Sequence, residues 1–353
     1  MSSRLGVLML ASAWFLPASA LAAGQDDPQA YCTYVMEQAQ AQRDLLRTPA
    51  ALAGMTQPET GLPMQVIGGA SLGLSNLRKA GLTVEAARKN CELYESNLAA
   101  QQTILYAVAN LEKEALQNRL ALIDKAEKSL DDLMEKASKM VEAQNATRVM
   151  LFSLETTKIK LDADRADTQA KISALYAPAL SERPLKELVA EKQSGEVNQQ
   201  KILDKLNRQN NWDVALSVGV HQQVNPVAQG AQPYGAVTVT YNLGSRAINK
   251  HLDRAASAYD QWKKVQEGDV VRGMEVLRQQ LVGTVGVQQD KLKSLHEESD
   301  HIEKTEQLVA NPDTSAALDF HNQLAASQLL LQIETGDASF RIQQIQEYLA
   351  KNY

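Results

Sequence analysis

The sequence is poor in the residues that build a large conventional hydrophobic core. Aromatic residues make up only 5% of its 353 residues. Long stretches rich in Ala, Gln, Glu, Lys and Leu take their place. This composition is typical of extended helices that pack along narrow seams.

The chain also lacks the charge and the motifs of several functional classes. Its formal net charge is −6, with both signs interspersed, which argues against a nucleic-acid binder because such proteins carry a clustered basic face. No nucleophile–base set, phosphate-binding loop or Cys/His metal motif occurs, so we expect no enzymatic activity and no cofactor. His296 and His301 are five residues apart and fall on different faces of a helix, so we expect no metal there.

Long apolar runs are absent beyond the N-terminal region. Residues 1–22 have the pattern of a signal peptide, with Arg4, an apolar run from Leu5 to Leu16, and a small-residue cleavage site at Ala20-Leu21-Ala22. That apolar run is too short for a membrane-spanning helix. No later run approaches the roughly 18 residues that a transmembrane helix needs. The sequence therefore predicts export of a mature chain without transmembrane helices.

One pattern occurs twice, about 170 residues apart: an alternating strand, a turn, and a very long helix. The first copy contains Leu72-Gly73-Leu74-Ser75 and the second contains Leu243-Gly244-Ser245-Arg246. Such self-similarity indicates two related structural units. We predict a first repeat over residues 23–195, with a β-hairpin at 49–77 and a helical hairpin at 80–195. The second repeat covers 196–353, with a β-hairpin at 212–244 and a helical hairpin at 252–352.

The predicted strands alternate between apolar and polar residues. Trp212 to Val220 and Val237 to Leu243 alternate strictly, whereas Ala50 to Thr56 is a weaker strand pattern. Four such strands cannot close a barrel, but three copies supply 12 strands with apolar side chains facing lipid and polar ones facing water. The alternative is a soluble pair of β-hairpins packed on helices.

Heptad spacing marks the predicted helical seams, at Leu116, Ile123, Leu130 and Ala137 and again at Leu154, Leu161 and Thr168. We predict outgoing helices at 82–142 and 252–309, and return paths at 145–210 and 314–352. The second return path is short by roughly 35 Å, a length that helix 25–48 would supply by stacking end to end with 314–352.

The chain has two cysteines, Cys32 and Cys91. Both lie roughly 20–25 Å from the predicted strands on neighbouring helices, and an exported protein can form disulfides. We predict a Cys32–Cys91 disulfide, and the alternative is two separate buried thiols.

In these features the chain resembles the TolC-type outer-membrane efflux family. The resemblance is carried by the strand–helix junctions at 71–87 and 242–256 and by the turn–helix segments at 143–176 and 311–349. It implies a mixed α and β fold, in which a homotrimer builds a 12-stranded transmembrane β-barrel above a periplasmic α-barrel of antiparallel coiled coils. It also implies an outer-membrane channel of a tripartite efflux or type I secretion system, which contacts a periplasmic adaptor protein and an inner-membrane transporter.

The resemblance places the helical tips at the periplasmic entrance. Arg148, Asp313 and Asp319 are then candidates for an entrance ring, and neutralising both acids is expected to raise single-channel conductance. Ordinary solvated turn residues are the alternative interpretation. Trp212 and Tyr241 are expected at the interface between barrel and water.

Two other functions fit parts of the sequence. One is a channel-like or scaffold subunit of a dedicated polysaccharide or fibre export machine, which the atypical tip sequences leave open. The other is a periplasmic coiled-coil adaptor, although adaptors usually have a single helical hairpin.

Overall fold

The structure is a computed structural model that describes residues 28–56, 64–143, 147–209, 211–224, 230–265, 268–309 and 314–353. It is mostly helical, with one four-stranded antiparallel sheet. In chain order the elements are α1 (Pro28–Arg47), β1 (Ala50–Thr56), β2 (Gln65–Gly73), α2 (Leu74–Glu142), α3 (Arg148–Ala174), α4 (Leu185–Arg208), β3 (Trp212–Gln223), β4 (Gln232–Tyr241), α5 (Ser245–Val265), α6 (Asp269–Leu308) and α7 (Ser315–Asn352). The predicted signal peptide lies outside the described residues.

The four strands form a single meander in the order β1-β2-β3-β4. Both predicted hairpins are present, and β2 also pairs with β3 from Gln65↔Gln223 to Gly73↔Ala215. This pairing, which joins the two repeats, extends β3 to Gln223. Both strands of the second hairpin extend beyond their strictly alternating segments, to Gln223 in β3 and from Gln232 in β4.

Helix α2 begins earlier than predicted. The first hairpin was predicted to end at residue 77, but Leu74 already starts the helix. Gly73 is the last residue of β2, and an added Cβ there would lie 3.0 Å from Asp213 Oδ1. The Ser75 hydroxyl then donates a hydrogen bond to the same carboxylate at 2.5 Å.

The helix predicted at 252–309 is wrong as one continuous element. Two helices replace it, α5 and α6. Gly268 has an extended backbone (φ −59°, ψ 150°) directly before α6, since glycine is a poor residue for a helix interior. The start of α5 at Ser245 also precedes the predicted start at 252. The predicted repeat boundary between 195 and 196 lies within α4.

The predicted heptad seam forms the core of the part of the helical bundle that lies farthest from the sheet. Ile123, Leu130, Ala137, Leu154 and Leu161 belong to one buried cluster. Residues of α7 complete this cluster, so the two helical hairpins share one core. A second cluster joins α2, α4, α6 and α7. It lies where α3 and α4, the two halves of the first return path, meet.

Helices α1 and α7 lie against successive stretches of α2. Near the sheet, Val35 and Ala39 of α1 pack on Ala87. Further along α2, Arg341 of α7 binds Glu112 through both of its terminal nitrogens. The two helices thus follow one another beside α2, as the helix lengths predict. Among the described residues, no helix is long and apolar enough to cross a membrane.

Two glycines let β2 and β3 approach each other closely. Gly69 pairs directly with Gly219, and a Cβ on Gly219 would lie 2.3 Å from the Gly68 carbonyl oxygen and 2.9 Å from the Tyr234 ring. We expect Gly219→Ala to destabilise the folded protein by about 1–3 kcal/mol through overpacking. Gly235→Ala is the matched control, because open space surrounds that position. Thermal unfolding in detergent would measure both, and equal midpoints would contradict the role of close approach.

Candidate functional site

The register of the sheet separates apolar from polar side chains. Residues directly opposite one another in an antiparallel pair point to the same face. One face, called here the apolar face, therefore carries Ala51, Ala53, Met55, Val66, Gly68, Ala70, Leu72, Trp212, Val214, Leu216, Val218, Val220, Gln222, Pro233, Gly235, Val237, Val239 and Tyr241. Gln222 is its single polar member.

The apolar face is open to its surroundings. Leu216 and Val218 are 53% and 54% exposed, and Val237 and Val239 of β4 are 68% and 60% exposed. None of the buried apolar clusters in the described chain includes a strand residue. A contiguous exposed apolar surface of this kind marks a site of contact with a protein or a membrane.

The opposite face, called here the polar face, carries hydroxyl and amide groups on all four strands, together with small residues and with Leu52 and Ile67. Ser217 donates a hydrogen bond to the Ser71 hydroxyl across β3 and β2 at 3.0 Å. The rings of His221 and Tyr234 lie 6.2 Å apart on the same face. Its other polar members are Thr56, Gln65, Asp213, Gln223, Gln232, Thr238 and Thr240.

Both edges of the sheet are open within the described chain. Strand β1 pairs only with β2, and β4 pairs only with β3. An unpaired edge presents a row of backbone donors and acceptors that can accept another strand. The edges are therefore surfaces for association between chains.

The predicted interface residues Trp212 and Tyr241 are brought together. They are direct cross-strand partners, and their ring centroids lie 4.5 Å apart. Both are on the apolar face at its helical end, and the Tyr241 hydroxyl accepts a hydrogen bond from Ser245 at 2.6 Å. The pair combines an apolar body with a polar edge, as interfacial aromatics require.

Helix α5 extends from the β4 edge and is mostly exposed. Ile248, Leu252, Ala256 and Tyr259 recur with helical spacing and form one stripe. Ile248 is 44% exposed and Trp262 is 51% exposed. Leu252, Ala256 and Tyr259 are half-buried, and Arg208 of α4 binds Asp253 of α5.

At the helical tip, Asp319 is tied to the other hairpin. Its carboxylate accepts a hydrogen bond from the Thr147 hydroxyl at 2.7 Å, and its second oxygen is buried. Asn322, one turn further along α7, donates to the Met150 sulfur at 3.2 Å. Asp319 therefore joins the two hairpin ends within one chain.

Of the other two predicted entrance residues, one lies among the described residues. Arg148 is exposed at the start of α3, and no ion pair links it to another described residue. Asp313 lies outside the described residues. The predicted entrance ring of these three residues stays a prediction. Residues 296–301, the histidine-containing cluster, lie on an exposed part of α6.

Sequence reasoning missed a charged network inside the helical bundle. Arg119 of α2 binds Asp164 of α3 at 2.7 Å, Glu334 of α7 at 2.6 Å and Asp337 at 3.5 Å. Lys291 of α6 also binds Glu334, at 2.5 Å. Four helices thus meet in one set of ion pairs. Heptad polarity alone does not reveal these pairs, because their members are far apart in sequence, with 215 residues between Arg119 and Glu334.

Burial and hydrogen bonding act in opposite directions on this network. Burial alone would lower the pKa of Arg119, but hydrogen bonds to Asp164 and Glu334 outweigh it and raise that pKa. Burial alone would raise the pKa of Glu334, yet hydrogen bonds from Arg119 and Lys291 lower it. The charged forms of both residues are therefore stabilised.

The structure brings Cys32 and Cys91 together as a disulfide between α1 and α2. Their Cα atoms lie 5.1 Å apart, within the usual range for a disulfide. Beside this bond, Tyr31 stacks on Tyr94 with ring centroids 4.0 Å apart. The bond fixes the helix that leads into the edge strand β1.

No protein-family model matches the sequence, and no curated protein sequence matches it either. The fold is similar to several solved structures. One is CusC, described in connection with folding and transmembrane channel formation, at 12% identity and a TM-score of 0.48, covering 93% of this chain and 89% of that one. Another is the outer membrane protein VceC of Vibrio cholerae, at 14% identity and a TM-score of 0.42, covering 92% of each chain.

The MtrE outer membrane channel of Neisseria gonorrhoeae, in its open state, is similar at 14% identity and a TM-score of 0.32, covering 90% of this chain and 84% of that one. At these identities and TM-scores the likeness concerns the path of the chain, and function has to be inferred from its own residues. Along nearly its whole length, the path of the chain is similar to these three solved structures.

Proposed function

We propose that the chain is the subunit of a homotrimeric outer-membrane channel that serves as a passive export conduit. One observation carries this proposal: a sheet with an uncovered apolar face, a polar opposite face and two open edges. In water such a sheet would expose apolar surface and unpaired backbone together. Closure into a barrel within lipid satisfies both requirements, because lipid covers the apolar face and neighbouring chains pair the edges.

The number of strands favours a wide barrel. Three copies of the four-stranded sheet supply 12 strands, and a barrel of this size is too wide for its side chains to fill. The polar face would then line a water-filled lumen. The polar side chains at Ser71, Ser217 and Thr238 suit that environment.

The height of the apolar face matches a membrane. From Trp212 to Val220 the strand extends about 27 Å, and a tilt of roughly 40° leaves about 21 Å along the membrane normal, close to the apolar band of about 25 Å in outer-membrane barrels. The Trp212–Tyr241 pair would lie at the lower boundary, where aromatic girdles occur. The helices would then extend into the periplasm.

A neighbouring copy of the chain would cover the exposed edge of β4 and the exposed helix α5. Strand β4 of one chain would pair with β1 of the next, and helix α5 would lie beside α1 of that neighbour, since α1 leads directly into β1. Helix α5 follows β4 in the chain, so one contact between copies would cover both the β4 edge and the exposed Ile248. Exposed Tyr34 and Leu45 of α1, at 62% and 76%, would face it.

The helical tips would form the periplasmic entrance, where the resemblance implies contact with an adaptor protein and an inner-membrane transporter. The channel would carry small molecules or polypeptides for an efflux or type I secretion system. Two helical hairpins and a four-stranded sheet in one chain speak against an adaptor, which usually has one hairpin. An entrance ring that includes Asp313 remains part of this proposal.

Cysteine pairs across the proposed contact test it directly. Ala53→Cys in β1 would be combined in turn with Gly235→Cys, Val237→Cys or Val239→Cys in β4, all on the apolar face. We expect at least one pair to give disulfide-linked trimers in outer-membrane fractions, resolved on heated gels without reductant. The purified trimer should also form conducting channels in planar bilayers.

A matched control replaces the edge position with an interior one. Ala70→Cys lies on the same face in β2, which β3 separates from β4, so its combinations with the same β4 cysteines should give no linked trimers. A protein that fractionates as a monomer without detergent, with no cross-linking and no conductance, would overturn the proposed function.

A further inference from the structure

A carboxylate lies beside the disulfide that joins α1 and α2. One oxygen of Glu95 is 3.5 Å from Cys32 Sγ and 3.8 Å from Cys91 Sγ. Cys91 and Glu95 are four residues apart and share one face of α2, and Cys32 reaches them from α1. Among the described residues, no other group of three Cys, His, Asp or Glu side chains converges in this way.

The oxidised bond does not explain the position of the carboxylate. A disulfide has no proton to donate, and among the described residues no cation forms an ion pair with Glu95. Two thiols would donate to the carboxylate, and a cation bound by two thiolates would bind it directly. The arrangement is better suited to the reduced cysteines than to the disulfide.

We propose that reduced Cys32 and Cys91, together with Glu95, form a binding site for a thiophilic divalent cation of the Zn²⁺ type. Two thiolates and one carboxylate are among the ligands that Zn²⁺ takes from proteins, and three protein ligands leave a fourth position for water. All three side chains are at least partly exposed, so an ion and its water can reach them. The metal and the disulfide exclude each other.

The geometry allows the exchange without movement of the helices. Tetrahedral Zn–S bonds of about 2.3 Å place two sulfur atoms roughly 3.8 Å apart. With the Cα atoms 5.1 Å apart, rotation of the two side chains is enough to reach that separation. The three ligand atoms already lie within 4.8 Å of one another. Either the disulfide or the bound cation would hold α1 on α2.

The chemical balance is simple. A phosphine reductant transfers two electrons to the S–S bond, which breaks to give two thiols, and water supplies the two protons and the oxygen of the phosphine oxide. Binding of the divalent cation then replaces the two thiol protons, which are released to solvent. Reoxidation of the two thiols forms the S–S bond again, and it requires the metal to leave.

Cadmium binding to the full mature chain tests the site, since Cd²⁺ with thiolates gives a charge-transfer absorption in the ultraviolet. After phosphine reduction in detergent, we expect one Cd²⁺ per chain, and none before reduction. Cys32→Ser should abolish the absorption. Glu95→Gln should weaken binding at least 10-fold while both thiolates remain.

A second measurement does not depend on the absorption. Bound Cd²⁺ should slow reoxidation of the reduced protein by oxidised glutathione, and Glu95→Gln should lose most of that protection. Glu92→Gln is the control. Glu92 directly follows Cys91 in α2, and this variant should behave as the parent protein. If the reduced chain binds no Cd²⁺, or if Glu95→Gln binds it as tightly as Glu92→Gln does, the proposal is wrong.

Reduction could also unfold the helices, which circular dichroism would reveal as a loss of helical signal. In that case the protein would be prepared under reducing conditions with Zn²⁺ present throughout and then assayed for zinc content. One zinc ion per chain supports the site, and a chain that folds without bound zinc overturns it.

Discussion

Val237→Arg is expected to abolish assembly of the trimer in the outer membrane. Val237 lies on the apolar face and is 68% exposed. An arginine on the lipid side of a barrel costs about 2–4 kcal/mol near the middle of the membrane, so three copies would cost about 6–12 kcal/mol. Outer-membrane fractionation followed by unheated gel electrophoresis measures the loss.

The adjacent residue supplies the control. Thr238 follows Val237 in β4 and lies on the polar face. Thr238→Arg should therefore keep the trimer and change only the ion selectivity of the channel. Equal trimer yields from the two variants would show that the apolar face does not contact lipid.

Arg119→Met is expected to lower the free energy of unfolding by about 1.5–3 kcal/mol, because Asp164 loses its partner in the network, whereas Glu334 keeps Lys291 and Asp337 keeps Arg341. The Arg119 side chain is only 17% exposed, and it is the shared partner of Asp164, Glu334 and Asp337. Denaturant unfolding followed by circular dichroism in detergent gives the value.

Lys171→Met is the matched control for this network. Lys171 binds Asp167 at 2.6 Å within one helix, and both side chains are more than half exposed. Such an exposed pair contributes little to stability, because water screens it. If both variants lose the same stability, the network has no special role in the bundle.

Acid should weaken the same network through Glu334. Its pKa is lowered in the folded protein because hydrogen bonds from Arg119 and Lys291 outweigh the effect of burial. The unfolded chain therefore binds the proton more readily, so stability is fully present above the ordinary Glu pKa of about 4.3 and declines as pH falls through the lowered value. In Glu334→Gln the dependence of the unfolding midpoint on pH below about 4.3 should be flatter.

Local patterns predicted the elements well where one period dominates the sequence. Strict alternation at Val237–Leu243 and heptad spacing at Leu154 and Leu161 each specify a buried or exposed face without reference to the rest of the chain. The break before Asp269 was missed because the apolar spacing continues on both sides of Gly268. The break is visible in the extended backbone of Gly268, directly before α6.

The contacts of the site were predictable only where a hairpin or the lengths of neighbouring helices place two residues side by side. Trp212 and Tyr241 could be paired from the hairpin, and Cys32 and Cys91 from the helix lengths. Arg119 and Glu334 could not, because their contact depends on how two helical hairpins dock, which no local period specifies. Asp319 was assigned to an entrance ring, and its hydrogen bond to Thr147 likewise depends on that docking.

Helix α2 runs through 69 residues without interruption from the sheet to the tip, a length of about 100 Å. Every neighbouring column is jointed: at 175–184 between α3 and α4, between α5 and α6, and where α1 gives way to α7. Among the described elements, helix α2 therefore sets the distance between the sheet and the tip by itself.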